Sequence, residues 1–289
     1  MMCSSCGKRA FEKFRGRYYC RECFIRKYEG AVESAIRRYR MVKKNERVLA
    51  ALSGGKDSVA MLMSLKSLSR KLNFELEAFF IHLGIEDYSD KSLAVSQKVS
   101  SILDVELNVV RIEDYGFRID DVKRKTCSVC GNVKRYLFNR FARENRFDLI
   151  ATGHCAEDIL ANLLKNMYSG NLGWSEKQKP RIEGYDRMVG RIRPLYEMSE
   201  RENLLYVLAR ELPFVSEECP HAPSTMWKEI VYDIEKRVPG YRVSVLRNLA
   251  RERRDEKTEY RYCKKCGEIT TSSICQFCRN VMKYSKKSG

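Results

Sequence analysis

The sequence predicts an α/β protein, a doubly wound parallel sheet flanked by two small zinc-binding modules. Three observations lead there. Short apolar runs alternate with stretches of helical periodicity through the middle of the chain, a Gly-Gly turn joins the first run to the first such helix, and Cys-x-x-Cys pairs stand near both ends. The expected division is 1–30 for one metal module, 31–250 for the α/β domain and 251–289 for the second metal module.

The centre of the argument is residues 47–58, RVLAALSGGKDS. Val48 to Leu52 suit a strand covered on both faces, and the polar cluster from Asp57 onward opens a helical pattern. Between them Gly54 and Gly55 let the backbone approach a ligand closely. Amide groups at the start of a helix converge on one point, and the helix dipole adds positive potential, so this turn suits phosphate. Lys56 adds a full charge. A Walker-type loop would need G-x-x-x-x-G-K-[ST], which is absent; the plainer alternative is an ordinary Gly-Gly turn.

Composition narrows the partner. The 289 residues can bury a sizeable core, and 44% of them are hydrophobic. Lys and Arg number 55 against 38 Asp and Glu, a net charge of +17, so a polyanion is expected, with nucleic acid ahead of a membrane surface. No apolar stretch approaches the roughly 20 residues that span a bilayer, and cysteines stand where a signal peptide would have its apolar core. A cytoplasmic protein is expected, and 32% charged residues lean towards a thermophile.

Twelve cysteines could form disulfides, but their pairing favours metal in a reducing compartment. Cys3, Cys6, Cys20 and Cys23 make two knuckles that would bring four thiolates around one zinc; Cys263, Cys266, Cys275 and Cys278 repeat the pattern. Segments this short cannot build a core alone, so the metal would supply their folding energy. Phe11, Phe14, Tyr18 and Tyr19 are expected around the first. The charged stretch 251–257 reads as a linker or helix end, and the Lys-rich tail as loose.

Between the modules, 31–44 reads as a connecting helix, 74–82 as the second strand, 92–103 as a helix and 105–112 as the third strand. Ligands of such sheets sit at the carboxyl ends of strands, which makes the backbone near Ile81 a candidate for adenine contact; His82 reads as structural. Residues 148–158, DLIATGHCAED, repeat the strand, glycine turn and helix, and place Gly153 beside the first loop. Glu157 and Asp158 could there position Mg²⁺ on a triphosphate, or Glu157 could merely cap a helix. Residues 169–193 read as a mobile basic loop, either solvated or in contact with RNA, followed by helices over 199–212 and 225–237. Cys127 and Cys130 form a pair with no second pair nearby. A redox pair is one reading; the cysteines left over as further ligands are Cys155 and Cys219.

Residues 53–58, SGGKDS, resemble the PP-loop of the ATP pyrophosphatase superfamily, which holds the pyrophosphate part of ATP while AMP passes to a substrate oxygen. The knuckle pair, that loop, TCSVCGNVKRY at 126–136, TGH at 152–154, RPLY at 193–196, ECP at 218–220 and the second ribbon occur in one order that resembles the TtuA-type tRNA 2-thiouridine synthetases end to end. The 134–136 run and the SERE stretch at 199–202 are more similar to the branch that thiolates the T-loop uridine than to the wobble-uridine branch.

The resemblance implies a 4Fe-4S cluster on Cys127, Cys130 and Cys219, leaving one iron open to sulfide. It implies ATP contacts from Ala51, Ser53, Gly54, Gly55, Lys56, Asp57, Ser58, the backbone near Ile81, Lys134 and Gly153, with Asp158 at the catalytic centre. Asp57, Lys56, Asp158, Cys127 and Cys219 are thus the expected catalytic residues. Sulfur would come from a small ubiquitin-like carrier ending in a thiocarboxylate, tRNA would be the substrate, and a homodimer is compatible with the pattern. The sequence departs from the family's usual TGHNxDD, with Cys155 in place of Asn and Glu157 in place of the first Asp, while Asp158 is kept. Two rivals remain: a PP-loop ligase acting on a small molecule would need neither two zinc modules nor a charge of +17, and a non-catalytic zinc-ribbon RNA-binding protein would not need residues 53–58.

Overall fold

The computed structural model describes residues 1–171, 178–251 and 260–285. A short hairpin, β1 (Glu12–Phe14) with β2 (Arg17–Tyr19), opens the chain and runs into α1 (Arg21–Arg38). The helix expected over 31–44 therefore starts some ten residues earlier: Cys20 is its N-cap and Cys23 lies in its first turn, so the knuckle and the helix are one unit running through residue 30.

The main sheet begins with β3 (Arg47–Ala51), α2 (Lys56–Leu72), β4 (Glu75–His82), α3 (Glu86–Leu103) and β5 (Leu107–Arg111). The chain then crosses through α4 (Thr126–Glu144) to β6 (Leu149–Ala151) and α5 (Ala156–Tyr168), and ends the sheet with β7 (Arg181–Ile182) and β8 (Gly190–Ile192). Strand order is β5-β4-β3-β6-β8-β7, parallel except for the edge strand β7. The order reverses between β3 and β6, the crevice where open α/β sheets take their ligands. The loop read over 169–193 thus contains two strands, because Ile182 and Ile192 supply apolar side chains for the sheet edge. Residues 172–177 of that stretch, the linker at 252–257 and the tail at 286–289 lie outside the described residues.

Alternation along β3 sends Val48 and Ala50 to one face and Leu49 to the other. The first face is covered by α1, α2, α5 and three later helices, α6 (Glu200–Ala209), α7 (Met226–Arg237) and α8 (Tyr241–Arg251); the N-terminal knuckles join this core through Phe14 and Tyr19. The second face carries α4 and the C-terminal ribbon, β9 (Arg261–Tyr262), β10 (Ile269–Thr270) and α9 (Gln276–Tyr284), with Phe277 stacked on Tyr136 at 3.8 Å. The two cysteine modules therefore pack on opposite faces of one sheet.

Helix α3 starts six residues before the expected position: Ser89, Ser92, Ser96 and Ser100 are buried beside Leu93, Val99 and Leu103, so its first turns carry no apolar periodicity. The Ser96 hydroxyl donates to the Ser92 carbonyl at 2.7 Å, which satisfies it without a tertiary partner. Small side chains let this helix come close to the loop after β3. Among the described residues no helix is long and apolar enough to cross a membrane.

Candidate active site

Two loops meet at the crevice. After β3 the chain turns through Gly54, whose φ of +79° lies in the left-handed region, to Gly55, the N-cap of α2. A Cβ on Gly54 would come within 2.9 Å of the Ser92 carbonyl oxygen. Ser58 closes the turn: its hydroxyl donates to the Gly55 carbonyl at 2.8 Å and accepts from the Ser53 N–H at 3.1 Å. The first amides of α2 have no partner within the helix, as at any helix start, and face the crevice as donors. After β6 the second loop lies directly on this turn, since a Cβ on Gly153 would sit 3.1 Å from both the Asp57 carbonyl oxygen and the Ser58 nitrogen.

Charged side chains converge on the junction. Lys56 Nζ lies 3.1 Å from Asp57 Oδ2 and 3.9 Å from Glu200 Oε2. Asp57 Oδ1 accepts from Asn203 at 2.8 Å, and the fully buried Asn203 is held in turn by the Tyr28 hydroxyl at 2.7 Å. Asp158 Oδ1 lies 2.6 Å from Lys228 Nζ, and its Oδ2 accepts from the Cys155 N–H at 3.0 Å and the Cys155 thiol at 3.3 Å. Lys228 also contacts Glu200. Burial raises the Asp57 carboxyl above its ordinary value, against the pull of Lys56. Burial works the same way on Asp158, but Lys228, His154 and the Cys155 N–H together outweigh it and the carboxyl ends below its ordinary value. Asp158 therefore stays ionised.

Cys155 is buried, and burial followed by the charge of Asp158 pushes its thiol well above the ordinary value, so it stands as a neutral donor to Asp158. Its thiol, Asp158 and Glu200 gather within 4.8 Å, a set able to hold a cation. Glu157 is elsewhere. It is fully buried, pairs with Arg242 of α8 and accepts the Glu200 N–H at 3.1 Å. The acid that caps α5 is Asp158, and the carboxylate that joins it at the crevice is Glu200; Glu157, expected beside Asp158, is turned away to Arg242.

The middle cysteines come to the same mouth by two routes. Cys127 and Cys130 occupy the first turns of α4, which starts from Lys125 in a left-handed conformation, and Lys134 lies one turn beyond. Cys219 arrives on a segment tied to the first loop, where the Val215 N–H donates to the Gly54 carbonyl at 2.9 Å. Further on, the His221 carbonyl accepts the Cys127 thiol, and the His221 ring bonds Asp120 at 2.7 Å. Burial raises the Cys130 thiol, Lys134 opposes it, and Cys219 and Cys127 add to it, so the three sulfurs share one electrostatic environment.

The terminal cysteines form two tight sets, Cys3, Cys6, Cys20 and Cys23, and Cys263, Cys266, Cys275 and Cys278. Measured sulfur separations are 3.5 Å for Cys6–Cys20, 3.7 Å for Cys6–Cys23 and 3.7 Å for Cys266–Cys275. A tetrahedron with zinc–sulfur bonds of about 2.3 Å has edges of about 3.8 Å, so these sets have the dimensions of single-metal sites. Burial works to raise Cys3 and Cys263, yet backbone N–H groups overcome it and hold each at about 6, which favours thiolate.

Of the remaining expected residues, Ala51 ends β3 and Ile81 is the penultimate residue of β4, both beside the crevice. His82 is buried against Asp90 at 3.1 Å. Arg181, in the stretch read as basic loop, is bonded to the Met41 carbonyl at 2.8 Å and paired with Glu46 and Glu183. Sequence reasoning did not find Glu200, Asn203 or Lys228. The capping box of Ser199 and Glu202 was a readable helix start that puts Glu200 at the first position of α6, but nothing local says which loop that helix end faces.

Fold and site define a nucleotide-binding α/β protein of the PP-loop class. The family model described as "PP-loop domain" matches residues 24–224. The chain is 35% identical to the tRNA-5-methyluridine(54) 2-sulfurtransferase of Pyrococcus horikoshii, covering 96% of this chain and 93% of that one. It is 36% identical to the protein of that name from Thermus thermophilus, covering 96% and 90%. Among solved structures, the U34-tRNA thiolase NcsA from Methanococcus maripaludis, determined with its [4Fe-4S] cluster, superposes with a TM-score of 0.83 at 28% identity, over 98% of this chain and 96% of that one. The chain belongs to the tRNA 2-thiouridine synthetases, a family of PP-loop sulfurtransferase enzymes.

Proposed function

We propose that the protein is an ATP-dependent tRNA 2-sulfurtransferase acting on the T-loop 5-methyluridine. The observation that carries this is the convergence, at one sheet crevice, of the 53–58 loop and Asp158 with Cys127, Cys130 and Cys219, three of the four cysteines that neither four-cysteine set uses. Adenylation and sulfur transfer need to happen on one bound uridine, and this layout gives both a place.

In the first step the C2 oxygen of the uridine attacks the α-phosphorus of ATP. The bond to the bridging oxygen breaks, pyrophosphate leaves with the electron pair, and the uracil N3 proton passes to water. The α2 amides, Ser53, Ser58 and Lys56 stabilise charge on the departing pyrophosphate, while Asp57, Asp158 and Glu200 would hold a Mg²⁺ that enters with the triphosphate. Ala51, the backbone near Ile81 and Gly153 would meet the nucleoside, and Lys134, one turn beyond Cys130 on α4, would reach the nucleotide from the cysteine side. In the second step sulfide attacks C2, the C2–O bond breaks and AMP leaves.

Cys127, Cys130 and Cys219 suit a 4Fe-4S cluster: three thiols at one mouth, with no fourth cysteine there except Cys155, whose thiol is committed to Asp158. The cluster supplies an iron with an open position for sulfide. The sulfide comes from a ubiquitin-like carrier with a C-terminal thiocarboxylate: water attacks the thiocarboxylate carbon, the C–S bond breaks, sulfide leaves with the electron pair and the carrier is left as a carboxylate. One structural zinc in each terminal set holds its module on the sheet.

A second reading is thiolation of the wobble uridine, favoured by the structural likeness to NcsA. Anaerobically reconstituted protein, ATP, sulfide and tRNA that carries 5-methyluridine but no thiouridine decide: tRNA-dependent pyrophosphate release with 2-thio-5-methyluridine in the digested tRNA supports the proposal. Thiolated wobble uridine selects the second reading, and no tRNA-dependent release removes both.

A further inference from the structure

Lys228 enters the crevice from α7, beyond the residues that match the PP-loop family model. Helix α7 packs on α5 and delivers the ammonium across the start of that helix to Asp158, 2.6 Å away. The same ammonium contacts Glu200 Oε1, while Lys56 approaches Glu200 Oε2 at 3.9 Å. One carboxylate thus lies between two ammonium groups, one on the loop and one from a separate helix. Its Oε2 also accepts the Tyr232 hydroxyl at 3.1 Å.

Two ammoniums spaced by a carboxylate are spaced for another two-oxygen anion of similar reach. We propose that Lys228 is a second pyrophosphate ligand: with Lys56 it grips the β- and γ-phosphates of ATP, and Glu200 supplies the intervening negative charge until nucleotide arrives. Three carboxylates outweigh the two ammoniums here, which is why the triphosphate enters with Mg²⁺. When the bond from the α-phosphorus to the bridging oxygen breaks, the electron pair goes to pyrophosphate, and both ammoniums face the charge as it forms. This deepens the adenylation reading of the 53–58 loop and rests on it.

The test is calorimetric binding of Mg²⁺-pyrophosphate, Mg²⁺-ATP and AMP to the full chain and to Lys228→Met, Lys228→Gln and Lys56→Ala, each checked for wild-type zinc content and thermal unfolding. Glutamine keeps an N–H for Asp158 without the charge, and remains usable if methionine disturbs the fold. The expected result is at least tenfold weaker pyrophosphate and ATP binding in both Lys228 variants, with AMP changed less than twofold. Equal weakening of all three ligands would make Lys228 a prop for Asp158 and overturn the inference. Wild-type pyrophosphate binding in the Lys228 variants with loss in Lys56→Ala overturns it while the loop assignment stands. Wild-type binding in all variants, or none to the wild-type chain, removes the loop assignment itself.

Discussion

The Val215 N–H donates to the Gly54 carbonyl at 2.9 Å, so the segment carrying Cys219 is tied to the loop assigned to pyrophosphate. Under the proposed mechanism a shift of the loop backbone would carry the Cys219 segment with it, and so would couple adenylation to sulfur delivery.

Gly54→Ala tests that link. The substitution forces a side chain into the left-handed region, costing about 1–2 kcal/mol, and sets a Cβ within 2.9 Å of the Ser92 carbonyl oxygen and 3.4 Å of Val215 Cγ2. Because Ser92 offers backbone and not a flexible tip, the loop has to move. Calorimetry should show ATP binding weakened at least tenfold, and anaerobic reconstitution should show a lower iron content. Wild-type values for both would mean that loop and Cys219 are independent.

Each four-cysteine set should hold one zinc in aerobically purified protein, two per chain by elemental analysis. Structural zinc contributes on the order of 10 kcal/mol to small modules. Cys20 caps α1, and Phe24 and Tyr28 on that helix are buried in the main core, so Cys20→Ser should lower the melting temperature of the entire domain and not merely loosen a terminus. An unchanged melting curve would contradict the packing described.

Much of this was readable in advance. Periodicity marked β3, α2 and β4 because their buried positions are mostly Val, Leu, Met, Phe, Ile and Ala, and Gly-Gly followed by Lys-Asp-Ser marked the loop chemistry. The start of α3 was hidden because its first turns bury serine, and the start of α1 because its first turn reads as a zinc knuckle. At the site, groups on the two glycine turns were legible, since turn and chemistry share a segment. Glu200 and Lys228 were not, because each sits on a polar helix end whose position relative to β3 is fixed only by packing against α2 and α5. Glu157 and Asp158 are adjacent acids at a helix start, and which one caps and which one pairs with Arg242 depends on α8, a helix not anticipated at all.

Glu197 gives the stability profile an acid limb. It is 5% exposed and ties α8 to the core; burial works to raise its pKa, but Arg247, Tyr39 and Arg38 overcome this and hold it at about 2. A carboxylate depressed in the folded state contributes stability above its unfolded value of roughly 4.5, and that contribution is lost as pH falls towards 2. With both arginines 42% exposed, the contribution is discounted to on the order of 2 kcal/mol at neutral pH. Glu197→Gln should be destabilised by about that much at pH 7, with the gap to wild type narrowing below pH 4.5. Metal loss in acid is common to both proteins and drops out of the difference. A gap constant with pH would mean that the carboxylate's charge is not what stabilises.

The deciding variants for the cluster are Cys219→Ala and Cys155→Ala. Cys155 is buried, its thiol is held neutral and its hydrogen goes to Asp158, so it offers no free thiolate; Cys219 is half-buried on a segment held at both ends, by Gly54 and by the His221–Asp120 pair. After anaerobic reconstitution with iron and sulfide, Cys219→Ala should lose the visible absorption, the bound iron and tRNA thiolation together, as should Cys127→Ala and Cys130→Ala. Cys155→Ala should keep the absorption and iron while ATP binding weakens, because Asp158 loses one of its donors. If instead Cys155→Ala loses iron and Cys219→Ala keeps it, the third ligand is Cys155. If Cys219→Ala keeps full activity and thiol counting finds Cys127 bonded to Cys130, the pair is a redox couple and no cluster is held there.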